Sequence, residues 1–133
     1  MSIRYEKSEA MLERALKSIP LGSQTFSKSK THYPHGVSPY FITRGKGSRA
    51  WDLDGNEYID FASSLCAVNL GYCDPDVDKA VIAQVQEGVI FSLSHPLETR
   101  VAELVIELVP SAEKVRFGKN GSDATAGAVR LAR

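Results

Sequence analysis

Residues 114–133 read KVRFG, then KNGSD, then ATAGAVRLAR. A short apolar-alternating run, a glycine-bearing turn and a stretch of small, helix-compatible residues are the order of a strand, a turn and a helix start, which points to an α/β chain. A helix start leaves several backbone N–H groups without internal acceptors and gathers roughly half a positive charge, so the turn Lys119–Asp123 is a candidate cup for an anion. Gly121 permits close backbone approach, and Ser122 offers a hydroxyl as well as an N–H, which suits a phosphate monoester. Asp123 opposes this unless its carboxylate turns away or caps the helix. The alternative is that Asn120 or Ser122 is an N-cap and nothing more. The turn is neither a Walker loop nor GxGxxG, so a nucleotide fold is not indicated. Ala124, Ala126, Gly127 and Ala128 would let the helix lie close against a sheet or a bound group.

Upstream, Tyr5–Ser18 carries Met11, Leu12, Ala15 and Leu16 among charges at helical spacing, and Pro20 and Gly22 stop it. Leu21–Ser38 is rich in Ser, Lys, Thr, Gly and Pro without periodicity and reads as an extended loop, long enough to be a binding loop or to lie on a partner. Tyr40–Arg44, Arg49–Leu53 and Glu57–Phe61 have strand character, and Asp54-Gly55 between two of them predicts a hairpin in a small antiparallel meander. After a loop at Ser63–Asp74, Pro75 opens a helix with Val77, Ala80, Val81 and Val85 on one face, ending near Gly88. A second helix begins at Leu97, repeats Val101, Leu104, Val105 and Leu108, and stops before Pro110.

With 133 residues there is room for one modest core. Sixteen Lys plus Arg balance sixteen Asp plus Glu, so no basic surface announces nucleic acid or an anionic membrane. No run of about 18 apolar residues would span a bilayer, and the charged first 18 residues lack the apolar centre of a secretory leader. A cytoplasmic chain is expected. Cys66 and Cys73 match neither a CxxC pair nor a zinc knuckle and are read as reduced thiols. His32, His35 and His95 sit in loop-like stretches without converging partners, so no metal site is assigned.

Four stretches carry a resemblance. WDLDGNEYIDF at Trp51–Phe61, NLGYCDP at Asn69–Pro75, SHPLETRVAEL at Ser94–Leu104 and LVPSAEKVRFGKNGSDATAGAVRLAR at Leu108–Arg133 are similar, in order and separation, to class III aminotransferases. The closest look is to glutamate-1-semialdehyde aminomutases and their relatives. The resemblance implies an α/β chain that is the N-terminal portion of a fold-type I enzyme, usually a homodimer, which moves an amino group between a small-molecule donor and a carbonyl acceptor through pyridoxal 5'-phosphate. Asn120, Gly121 and Ser122 would hold the cofactor phosphate, Ser23, Gln24 and Thr25 would reach the substrate carboxylate, and Ser92, Leu93 and Ser94 would lie near a neighbouring subunit's site. Leu65 and Cys66 stand where the aminomutases carry a tryptophan and its neighbour, and Tyr72 where the family carries a histidine, which predicts a differently lined substrate pocket.

The family's Schiff-base lysine, ring-pairing aspartate and covering aromatic lie further along than Arg133. None of the eight lysines here sits in such a segment, so no catalytic residue is assigned and the segment alone is expected to be inactive. Residues 1–72 would supply the N-terminal helix, loop and antiparallel strands. Residues 73–133 would begin the large cofactor domain, apparently cut within a helix. The competing reading is a non-catalytic phosphate-binding or dimerisation fragment.

Overall fold

The structure, a computed structural model, describes residues 4–133. The chain divides into two compact units, residues 1–86 and 87–133.

The first unit starts with helix α1, Glu6–Leu16, which buries Leu12 and Ala15 together with the preceding Tyr5. Its first turn has no cap of its own: the Asp54 carboxylate, 46 and 47 residues away in sequence, accepts from the N–H groups of Ser8 at 3.0 Å and Lys7 at 2.9 Å. An acidic group at a helix N-terminus satisfies orphan donors and meets the positive end of the dipole, so a turn between strands does the work of an N-cap. Ser8 is fully buried because its hydroxyl also accepts from the Tyr40 N–H at 2.9 Å. Tyr5 donates to the Val37 carbonyl, and Asn56 Nδ2 to the Arg4 carbonyl. At the other end of α1, Gly22 has φ +73°, and a Cβ there would stand 2.6 Å from Leu12 Cδ1, so the chain can leave the helix this closely only through glycine.

The expected structureless loop is instead folded locally into three 3₁₀ turns, Pro20–Gly22, Phe26–Lys28 and Lys30–His32. Such turns need only i to i+3 bonds and no apolar period, which is why periodicity misses them. Ser29 is buried between two of them, within hydrogen-bonding distance of Thr31 Oγ1.

The expected meander is present as β1 (Ile42–Lys46), β2 (Arg49–Asp52) and β3 (Glu57–Ile59), antiparallel in that order, with an irregular register between Ile42 and Arg44. The Asp54-Gly55 turn forms with Gly55 at φ +88°. Its anchor is Asp52, only 2% exposed, which accepts from the N–H groups of Asp54 and Asn56, from Asn56 Nδ2 and from the Tyr58 hydroxyl at 2.7 Å. Arg44 lies over the Trp51 ring at 4.0 Å, and Arg49 pairs with Glu57 across the exposed edge.

Strand β3 stops two residues short of Phe61 because Asp60 turns back. Its carboxylate accepts from the N–H groups of Ala62 and Ser63 and from the Tyr72 hydroxyl at 2.5 Å. The loop expected at 63–74 begins with a single helical turn, α2 (Ser63–Cys66), in which all four residues have φ between +44° and +67°. This left-handed conformation costs L-residues roughly 1–2 kcal/mol each. Both cysteines are free and exposed.

These carboxylates make stability depend on pH. Burial pushes the Asp52 carboxyl up, but the Asn56, Tyr58 and backbone donors outweigh it and hold its pKa below the usual value of 3.8. The Tyr72 hydrogen bond, against a smaller effect of burial, lowers Asp60 from the same value. Tyr58 is raised by burial and then by its bond to Asp52, and Tyr72 by its bond to Asp60 and then by burial. Lowered carboxyls stabilise the fold above their unfolded pKa and lose that contribution as pH falls through the folded value. Raised phenols stabilise it below about 10 and lose it as pH rises through the folded value. The contribution of both pairs should therefore be flat from about pH 5 to 9. In denaturant titrations of the natural full-length chain, a double variant Tyr58→Phe/Tyr72→Phe should show a shallower acid decline than the parent; an identical decline would contradict these pairings.

Helix α3, Pro75–Glu87, starts where expected, with the Asp74 carboxylate accepting from the Asp76 and Val77 N–H groups at 3.1 Å.

In the second unit, α4 (Pro96–Leu108) begins one residue earlier than the sequence predicts, with proline in the first turn. His95 caps it: Nδ1 accepts from the Leu97 N–H, and Glu98 reaches back to the His95 N–H, a capping box with imidazole in place of a hydroxyl. The expected strand at Lys114–Gly118 forms no β-ladder among the described residues. A strand exists only through its neighbours, and within this unit nothing pairs with it. Helix α5, Gly121–Leu131, follows as expected.

Candidate functional site

The candidate anion turn is built at the head of α5. Asn120 has extended dihedrals, φ −128° and ψ 161°, so the chain enters the helix sharply and the first N–H groups, those of Gly121 and Ser122, have no acceptor within the helix. The Asp123 carboxylate accepts from the Asn120 N–H at 2.9 Å and so closes the turn as a cap. A Cβ built on Gly121 meets nothing within 4 Å, so the space beside this backbone is open.

Ser122 and Gly121 line an open concavity of about 750 Å³ with Thr125, Ala126, Val129, Arg130 and Arg133. Thr125 donates its hydroxyl to the Gly121 carbonyl at 2.9 Å. Sequence reasoning stopped at the turn and missed Thr125, which lies four residues from Gly121 and three from Ser122 and so shares their helix face. Two helix-start N–H groups, the Ser122 hydroxyl and an open approach fit a phosphate-bearing cofactor.

The other predicted residues stand elsewhere. Ser23, Gln24 and Thr25 lie in the first unit between two 3₁₀ turns, where the Thr25 N–H donates to Ser23 Oγ at 3.3 Å. Ser92, Leu93 and Ser94 lie in the second unit ahead of α4, in a bend and its continuation. Among the described residues no group of three His, Cys, Asp or Glu side chains could hold a metal ion, and no helix is long and apolar enough to cross a membrane.

Residues 32–133 match the aminotransferase class-III family. The chain belongs to that family. A glutamate-1-semialdehyde 2,1-aminomutase of Aquifex aeolicus is 44% identical over 96% of this chain, and the match covers 30% of that enzyme. The chain therefore spans about 30% of the length of the curated class-III relatives it matches. Among solved structures, an omega-transaminase from Sphaerobacter thermophilus superposes with a TM-score of 0.85 at 35% identity, covering 95% of this chain and 28% of that one. A transaminase with PLP bound superposes with a TM-score of 0.85 at 32% identity, covering 96% of this chain and 29% of that one. The α/β arrangement, with its small antiparallel sheet, is that of the N-terminal part of class-III, PLP-dependent transaminases.

Proposed function

We propose that this chain supplies the N-terminal part of an aminotransferase or aminomutase that uses pyridoxal phosphate and resembles glutamate-1-semialdehyde aminomutase. The observation that supports this most directly is the α5 turn, with two helix-start N–H groups and an open glycine, and with Asp123 turned back on Asn120. When bound, the cofactor supplies an electron sink for moving an amino group between a donor and a carbonyl acceptor. What this chain would add is grip: the N–H groups of Gly121 and Ser122 and the Ser122 hydroxyl donate to phosphate oxygens, with Asn120 fixing the turn. Ser23, Gln24 and Thr25 are proposed to meet the substrate carboxylate. Residues 1–72 are proposed as the N-terminal helix, loop and strands, and residues 73–133 as the start of the cofactor domain, in a cytoplasmic homodimer. The lysine that bonds the cofactor is proposed to lie outside these 133 residues, leaving the segment alone inactive.

Ser122→Ala removes one donor to a charged phosphate, worth roughly 1.5–3 kcal/mol. Pyridoxal phosphate binding by the natural full-length chain, followed by equilibrium dialysis, should weaken by roughly ten- to a hundredfold. Unchanged affinity would remove the turn from the site. The non-catalytic alternative draws on the exposed apolar faces of α3 and α4, which favour association; transamination by the full-length chain would exclude it.

A further inference from the structure

Asp60 holds both ends of one loop with a single carboxylate. Oδ1 accepts from the N–H groups of Ala62 at 2.9 Å and Ser63 at 3.1 Å, and Oδ2 accepts from the Tyr72 hydroxyl, twelve residues on. Tyr72 is itself pinned to the β1–β2 turn: its N–H and carbonyl exchange two 2.8 Å hydrogen bonds with Gly47, and its ring lies flat on Gly45, where any Cβ would intrude on it. The Asp60 N–H donates to the Ser48 carbonyl at 2.8 Å, so both partners are anchored to the same hairpin. Between them stands the left-handed turn α2, whose four non-glycine residues would not keep positive φ unless their surroundings compelled them. The turn leaves Leu65 largely exposed, and a cavity of about 270 Å³ lies beneath the loop, lined in part by Asp60, Ser63, Val68 and Tyr72. The loop therefore has room to move once it is released.

We propose that Asp60 and Tyr72 form a latch that holds the loop 62–68, with residues 63–66 in their left-handed conformation, so that breaking this one bond lets the loop relax while the hairpin beneath it stays intact. The device is independent of the cofactor reading. It is tested by amide hydrogen exchange in the natural full-length chain. Tyr72→Phe keeps the ring and the backbone pair with Gly47 but loses the hydroxyl; it should speed exchange at Ala62, Ser63 and Val68 about tenfold or more, with amides of β1 and β2 within twofold of the parent. Asp60→Ala should do the same, and the double variant should exceed Asp60→Ala by less than twofold, because both act on one carboxylate. Exchange at 62–68 unchanged in Tyr72→Phe, an equal rise throughout β1 and β2, or additive effects in the double variant would each overturn the latch.

Discussion

Residues 1–133 produced alone will associate, eluting well above their 14.5 kDa and melting without a sharp transition. Much of the exposed surface of the helices is apolar. Val81 and Val85 on α3 and Val101 and Leu104 on α4 are exposed, although their spacing is that of core-facing stripes, and Val129 and Leu131 on α5 are exposed as well. Among the described residues the buried apolar ones are few, Tyr5, Leu12, Ala15 and Ala50, all in the first unit. Helices gain most of their stability by burying such stripes, so α3, α4 and α5 left bare will find one another between copies. Size-exclusion chromatography with light scattering decides the point, and a monodisperse monomer with a cooperative melt would contradict it.

Asp52→Ala will cost the natural full-length chain about 3 kcal/mol or more, the largest single-residue loss expected in the first unit. The carboxylate is buried and accepts four hydrogen bonds, so its removal takes an acceptor from the Asn56 side chain and from the Tyr58 hydroxyl and frees the backbone of the 54–56 turn. The damage travels, because that turn carries Asp54, which caps α1, and Asn56, which ties down Arg4. Asp54→Ala removes the cap alone and should cost about 1–2 kcal/mol. Urea titration reads both losses. Equal losses in the two variants would show that Asp52 acts only through the cap, and a loss under 1 kcal/mol for Asp52→Ala would remove it as the anchor.

Much of this was legible in the sequence because it is local. The Asp54-Gly55 turn, the proline-opened helices and the stripes on α3 and α4 rest on residues within a few positions of one another, and they form within one or two residues of expectation. The strand at Lys114–Gly118 was read from its alternation, yet pairing is a property of two segments, and one segment's pattern cannot supply the other. The 3₁₀ turns escaped because they have no hydrophobic period. The left-handed turn escaped because Ser63, Ser64, Leu65 and Cys66 are not residues that choose positive φ, so no turn chemistry in the sequence announces it. At the candidate site, Asn120, Gly121 and Ser122 were visible from turn chemistry, while the role of Asp123 depended on which way one carboxylate points, and it accepts from the Asn120 N–H.

The proposed grip of the Asn120–Ser122 turn on the phosphate of pyridoxal phosphate is read most directly by phosphorus NMR of the natural full-length chain titrated with the cofactor. A bound phosphate resonance is expected, shifted from the free one and broadened, that reverts toward the free position in Ser122→Ala. A bound resonance identical in the parent and in Ser122→Ala, or no bound resonance at all, would contradict it.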